Sequence, residues 1–429
     1  MQLPLNQNKS VNNFIFWLYI YFVIDFFLHL SERIPGYGVI RPTLVLVILL
    51  TIFIISQKDK FKGVGDDPVL KKIKWLIIYV IITLPLVTWP GSVLLNNIPV
   101  FVKAVVFFFF TALIIDTEKR LKIFLCVFIS SQIFRVLEPL YMNITSGYWG
   151  DKTHLGHGEF ASRLSGAPAD VVNPNGLGFV IVTIVPYLYY LAWQSSSKLL
   201  KLFSLGVSPL LMYALVLTMS RGAFVALLVV LWMIFKDSRH KFFLIIVLIV
   251  SLVGVWSNLS DDHKDRYLSL VSSSAQQSGS VEGRWRGMIN EFGVALERPL
   301  IGHGLGTSKE AKTHAGVGWL ISHNLYIEVL IELGFVGFVI FFLFLKSIYN
   351  KYKENVAAIK LYHSSDESAF ICRLNTALNA VFWMYAVYSI NYFGLSTYYW
   401  YLFAGLTIAF SRIYFINTDE SGKKDRVNG

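Results

Sequence analysis

Apolar residues in this chain come in long unbroken runs rather than in alternation. Stretches rich in Leu, Ile, Val and Phe recur from end to end, separated by polar segments carrying Lys, Gly, Pro or Ser. A run of about 17 to 25 apolar residues crosses the ~30 Å hydrocarbon core of a bilayer as a helix. About twelve runs are predicted as spans, at 13–30, 39–55, 74–89, 98–115, 121–138, 174–194, 200–218, 221–235, 241–257, 324–345, 370–392 and 395–415. Continuous runs favour helices over a barrel, because lipid offers the backbone no other hydrogen-bond partner. The expected fold is therefore all-α, a single transmembrane helical domain over 1–429 with longer loops at 139–173 and 258–323, the second between helices nine and ten. Within that second loop Trp285, Met288, Phe292 and Leu296 stand at helical spacing. They predict a short amphipathic helix near 284–298, lying on a membrane surface or capping a cavity.

Composition supports the membrane class. The 429 residues are 55% hydrophobic and 15% charged, too apolar for a water-soluble globule. The net charge of +11 is largely topological. Lys58, Lys60, Lys62, Lys71, Lys72 and Lys74, then Lys119, Arg120 and Lys122, then Lys198 and Lys201 fall on one side if the spans alternate. Lys236, Arg239 and Lys241, then Lys346, Lys351, Lys353 and Lys360, and finally Lys423, Lys424 and Arg426 join them. That side is predicted to be the cytoplasm, with both termini inside. The charge gives no support to nucleic-acid binding. Asp25 in the first span, with no small-residue cleavage site after it, predicts a retained anchor. Cys126 and Cys372 lie near cytoplasmic span ends, which argues against an external disulfide.

Intramembrane charges are the informative feature. In this topology Asp25, His29, Arg41, Lys103, Arg135, Glu138, Arg221, Glu328 and Glu332 all lie in the outer half of their spans. A charge near the bilayer centre costs about 2.5 to 3.5 kcal/mol on insertion scales, so such groups are paired or functional. The asymmetry describes a polar cavity open to the outside. A transporter would need polar groups through the full depth. Arg135 with Glu138, and Asp25 with His29, also stand at spacings that allow plain local pairs.

Two short stretches carry candidate chemistry. In TMSRGAFVALLVVL (218–231), Ser220 is a predicted N-cap and Arg221 sits where free N–H groups and the helix dipole favour an anion, a setting suited to phosphate. Gly222 and Ala223 allow either a close-approaching ligand or a helix contact, and the alternative for Arg221 is snorkelling to water. In SHNLYIEVLIELGFVG (322–337), His323 stands at the outer end of the tenth span, where a helix N-terminus favours the neutral imidazole that a general base requires. Other motifs are discounted. His154, His157 and Glu159 have metal-compatible spacing but no defined helix, so no metal site is expected. GHGLGTSK (302–309) fails the phosphate-loop spacing and reads as a turn near the active site.

SRGA at 220–223, GRWRGMINEFGVALERPLIGHGLG at 283–306 and HNLYIEVLIELGFVG at 323–337, preceded by RLSGAPADVVNPNGLG at 163–178, resemble in order and spacing the signature of the bacterial O-antigen ligase and O-antigen polymerase family. The resemblance implies cofactor-free, metal-independent glycosyl transfer at the periplasmic face of the inner membrane. The donor is an undecaprenyl-diphosphate-linked glycan, and the acceptor is lipid A-core or another glycan. It implies that Arg221 and a loop arginine hold the diphosphate and that His323 activates the acceptor. Trp285 follows Arg284 at once and Met288 occupies the position where the family shows tryptophan, so Arg284 and Arg286 both stand as candidates. Lys103 is a further candidate for the diphosphate, with Arg163, Asn324, Glu328 and Glu332 supporting. Glu332 matches the family's glutamate and is expected to pair with an arginine, and Glu328 to orient His323 or an acceptor sugar. Ligation to lipid A-core in lipopolysaccharide biosynthesis is the preferred reading, on span count and compact loops. Polymerization and lipid-linked glycan transport are the alternatives.

Overall fold

The computed structural model describes residues 10–57, 64–156, 159–238, 241, 279–318, 322–361, 366–392 and 394–415. The main helices are α1 (Asn13–Leu28), α2 (Pro42–Ser56), α3 (Pro68–Thr83), α4 (Ile98–Ile114), α5 (Glu118–Ser146), α6 (Pro174–Tyr187), α7 (Lys198–Leu217), α8 (Arg221–Asp237), α9 (Gly279–Glu297), α10 (Ser308–His314), α11 (Leu325–Leu361), α12 (Asp366–Tyr388) and α13 (Tyr398–Tyr414). Among the described residues, six helical stretches are long and apolar enough to cross a membrane: Tyr37–Ser56, Pro90–Ile114, Glu118–Ser146, Pro174–Trp193, Lys198–Leu217 and Leu325–Lys360. The span predicted at 241–257 lies outside the described residues, apart from Lys241.

The segment 139–173, expected as a loop, carries structure of its own. Helix α5 runs through Pro139 to Ser146, and an antiparallel hairpin follows, β1 (Gly150–Gly156) with β2 (Glu159–Leu164), Gly150 opposite Leu164. Among the described residues the fold is thus helical with one small hairpin. In the same segment Arg135 is buried against Asp170, its Nε and Nη2 donating to the two carboxylate oxygens at 2.6 and 3.0 Å.

The chain divides into two compact units, one of residues 1–128, 292–364 and 393–429, the other of 129–291 and 365–392. In the first, α13 is buried along almost its whole length and lies against α4. A Cβ on Gly405 would come within 2.7 Å of the Phe108 carbonyl, so only glycine permits that approach. Tyr19 of α1 hydrogen-bonds Thr111 of α4 at 2.6 Å and stacks on Phe22 and Phe124, with Phe107 tilted against Phe22. In the second, α6, α8 and α12 pack together, with Phe179 against Tyr385 and Tyr388.

Helix α11 is interrupted at Gly334, whose φ of +64° and ψ of −171° are not helical. The 299–304 strip fills the gap from the side. His303 and Gly304 N–H donate to the Ile331 and Glu332 carbonyls, both at 2.8 Å, while Phe335 and Val336 N–H donate to the Pro299 and Leu300 carbonyls at 2.7 and 3.3 Å. The two backbones touch through glycines. A Cβ on Gly302 would lie 2.5 Å from the Glu332 carbonyl group, and one on Gly334 equally close to that of Leu300. Tyr79 of α3 donates its hydroxyl to the Leu333 carbonyl at 2.8 Å.

Two predictions follow from these contacts. Gly334→Ala is expected to lose more stability than the ~1–2 kcal/mol of a left-handed L-residue, because the backbone it meets cannot yield. Gly316→Ala, at φ +69° with open space around it, should lose only that strain, and thermal unfolding in detergent would report the difference. Asp170→Asn removes the carboxylate that a buried Arg135 holds through two hydrogen bonds and should cost about 3–5 kcal/mol, read by the same assay.

Candidate functional site

In the second unit the α7–α8 turn is built by two hydroxyl side chains and one strained residue between them. Thr218 Oγ1 accepts the Ser220 N–H at 3.2 Å, and Ser220 Oγ accepts the Ala223 N–H at 3.3 Å, capping α8. Met219 between them takes φ +50°, left-handed backbone that a non-glycine residue rarely adopts. Arg221 is the first residue of α8 and is only 5% exposed. Arg163, equally buried at the end of β2, reaches the same turn. Its Nε donates to the Thr218 carbonyl at 2.9 Å and its Nη2 to Asn175 Oδ1 at 3.0 Å. Asn175 is held in turn, because Asn173 caps α6 by accepting the Gly176 N–H at 2.8 Å and Tyr388 donates to the Asn175 carbonyl at 2.5 Å. Two buried guanidinium-bearing residues are therefore anchored at one capped helix N-terminus, an arrangement that favours an anion. Ala223 and Gly178 serve the alternative weighed for small residues, a helix contact: a Cβ on Gly178 would sit 2.6 Å from that of Ala223.

In the first unit the start of α11 carries His323, Asn324, Glu328 and Glu332. Asn324 is buried and caps the helix, its Oδ1 accepting the Tyr326 and Ile327 N–H groups at 2.9 and 3.2 Å. His323 precedes it and is exposed. The carboxylate of Glu328 accepts the Gly394 and Leu395 N–H groups at 2.8 and 3.3 Å, fixing the turn that leads into α13. Glu332 departs from expectation. Among the described residues it pairs with no arginine; it accepts the Gly306 N–H at 2.7 Å and the Ser308 N–H at 3.4 Å. A buried carboxylate is satisfied as well by backbone amides as by a guanidinium, and here the glycine-rich loop supplies them. Lys103 is exposed on α4. Arg286 is exposed on α9, and Arg284 belongs to the same helix, its side chain outside the described residues. Of the histidine-rich stretch, His157 lies outside the described residues, and at 154 and 159 only the strand backbone is described.

His303, passed over in the sequence, is central to this unit. It is buried with Trp89 stacked 5.7 Å away, its Nε2 meets the Val294 carbonyl at 3.1 Å, and its Nδ1 meets Thr88 Oγ1 at 3.3 Å. A carbonyl partner requires Nε2–H, so the Thr88 hydroxyl donates to Nδ1 and accepts from Arg298 Nη1 at 2.8 Å. The chain of bonds ties the end of α9 to the 84–89 segment. The only hint in the sequence was the density of glycines around position 303.

Burial holds the His303 imidazole below its ordinary pKa. The unfolded chain, titrating near 6.5, then takes up the proton first, so this contribution is complete above about pH 6.5 and is lost as the pH falls below it. The thermal unfolding midpoint is expected to drop on acidification from pH 7 to 5, and to drop less in His303→Gln.

Residues 206–342 match the family model described as O-antigen ligase. No curated protein matches the chain. The matched region contains Arg221, the α9 arginines, the 302–308 loop and the start of α11, and over that third of the chain the protein is similar to the O-antigen ligase family.

Proposed function

We propose that the protein transfers a glycan from an undecaprenyl-diphosphate carrier to an acceptor hydroxyl at the periplasmic face of the bacterial inner membrane, and that the acceptor is lipid A-core. The observation that carries this reading is the capped turn at 218–221, where Arg221 and Arg163 are both buried at a helix N-terminus within and beside the matched domain. A diphosphate leaving group needs its departing charge neutralised, and fixed cations with oriented amides supply that without reorganisation.

The reaction balances simply. His323 removes the acceptor hydroxyl proton, the oxygen forms a bond to the anomeric carbon, and the carbon–oxygen bond to phosphate breaks with its electron pair going to the diphosphate. Arg221, supported by Arg163, stabilises that anion, and the α9 arginines Arg284 and Arg286 contribute from the other part of the motif. Asn324 fixes the helix end behind His323. Glu328 and Glu332 act through the backbone turns they hold. The step calls on no nucleotide or metal.

Assays in vesicles with a lipid-linked glycan donor and a lipid acceptor should show Arg221→Ala slowed roughly 10- to 150-fold, the loss of one charge-assisted hydrogen-bonded contact. His323→Ala should be slowed ~10²- to 10⁴-fold, the usual worth of a general base. Normal rates in the double variant would overturn the reading. Deleting the gene separates the acceptors: unmodified core with accumulating carrier-linked polymer marks a ligase, and core bearing single repeat units marks a polymerase.

A further inference from the structure

Helix α9 presents three distinct faces. Val294, Ala295 and Glu291 are buried, and the first two pack in a small core with Ala311 and Ile331. Trp285, Ile289, Phe292 and Leu296 are 63%, 57%, 47% and 58% exposed. On a helix of 3.6 residues per turn these four fall within an arc of about 60°, a stripe about 16 Å long. Arg286, Asn290 and Glu297, also exposed, form a polar flank beside that stripe. The stripe therefore faces away from the protein core that α9 helps to build.

What covers it follows from the surface it joins. Just beyond α9, exposed Leu300 is bonded through its carbonyl to the N–H of exposed Val336, and Phe335 is bonded likewise to Pro299. Phe335, Val336, Val339 and Phe342 form one exposed apolar face of α11, inside a stretch apolar enough to cross a membrane. Arg298 fastens the same end of α9 to the carbonyl of exposed Leu86, beyond Ile81 and Ile82 on the exposed face of α3. The stripe is thus continuous with the exposed apolar surfaces of α3 and of α11, the latter long and apolar enough to cross a membrane. Charged flank, narrow apolar stripe and an interfacial tryptophan are the features of a helix lying in the plane of a bilayer interface.

We infer that α9 is embedded along its length in one leaflet, its Trp285–Leu296 stripe sunk among acyl chains and its Arg286 flank at the depth of the lipid phosphates. On the orientation and activity proposed above, this is the outer leaflet. The consequence for the donor then rests on that reading: a carrier whose polyprenyl chain lies in the leaflet presents its diphosphate at the level of Arg286.

The test needs neither donor nor turnover, so its failure is separable from failure of the glycosyl-transfer reading. Single cysteines would be placed at Trp285→Cys, Ile289→Cys, Phe292→Cys and Leu296→Cys, with Asn290→Cys and Glu297→Cys on the flank, in a Cys126→Ser/Cys372→Ser background. Each is spin-labelled and reconstituted in phosphatidylethanolamine/phosphatidylglycerol vesicles. Collisions with oxygen are expected to exceed those with an aqueous nickel chelate several-fold along the stripe, and the order to reverse at 290 and 297. Nickel access along the stripe equal to that at 297 would place it in water and overturn the inference. Exclusion of both reagents would mean that protein covers it, with the same result. With the cysteines left native, the emission lost in Trp285→Phe should be quenched by lipids brominated in the upper acyl chain, and absence of that quenching would be equally decisive.

Discussion

The first unit depends on one close approach, the contact of two backbones at Gly302 and Gly334. A membrane helix that breaks in mid-course frees amides and carbonyls that lipid cannot satisfy. Here the freed groups of α11 are taken by the 299–304 strip in four reciprocal bonds. The exchange requires that neither chain carry a Cβ at the point of contact. The glutamate of the same turn then reaches outward to the amides that follow, so Gly302, Gly304, Gly306, Glu332 and Gly334 behave as one joint.

That joint divides the signature residues by role. Glu332 and Glu328 look like charges available for chemistry, yet the carboxylates of both accept backbone N–H groups. Asn324 spends its side chain on a helix cap. Arg163 is spent on a carbonyl and an amide oxygen beside the α8 turn. His323, exposed, immediately precedes the capped helix. The rigidity of the surrounding turns is what would allow such a side chain to hold a fixed reacting geometry.

The sequence made the helices legible because lipid enforces a single backbone solution on every long apolar run, and it showed the Ser220 cap because serine before an apolar helix has a strong local meaning. Local pattern could not show partners that come from the backbone. Glu332 was expected to find an arginine because charge attracts charge, whereas amides in a glycine-rich turn leave no charged letter to read. Arg135 holds a carboxylate, Asp170, 35 residues away, a partner that no local spacing announces. The β1–β2 hairpin went unseen because it is short and lacks regular apolar alternation. His303 stayed hidden because one buried histidine has no distinguishing spacing, only a carbonyl, a hydroxyl and an indole brought together by folding.

The pairing of α3 with α11 has a mechanical meaning. Asp67 caps α3 through the Val69 N–H at 2.8 Å and with its other oxygen holds Lys351 at 3.2 Å, while about three turns further along α3 Tyr79 grips the Leu333 carbonyl. Two helices pinned at separate heights cannot slide past one another like pistons. Any force that a thicker or thinner membrane exerts on α11 is handed to α3 as torque and tilt, and the axial register between them stays locked.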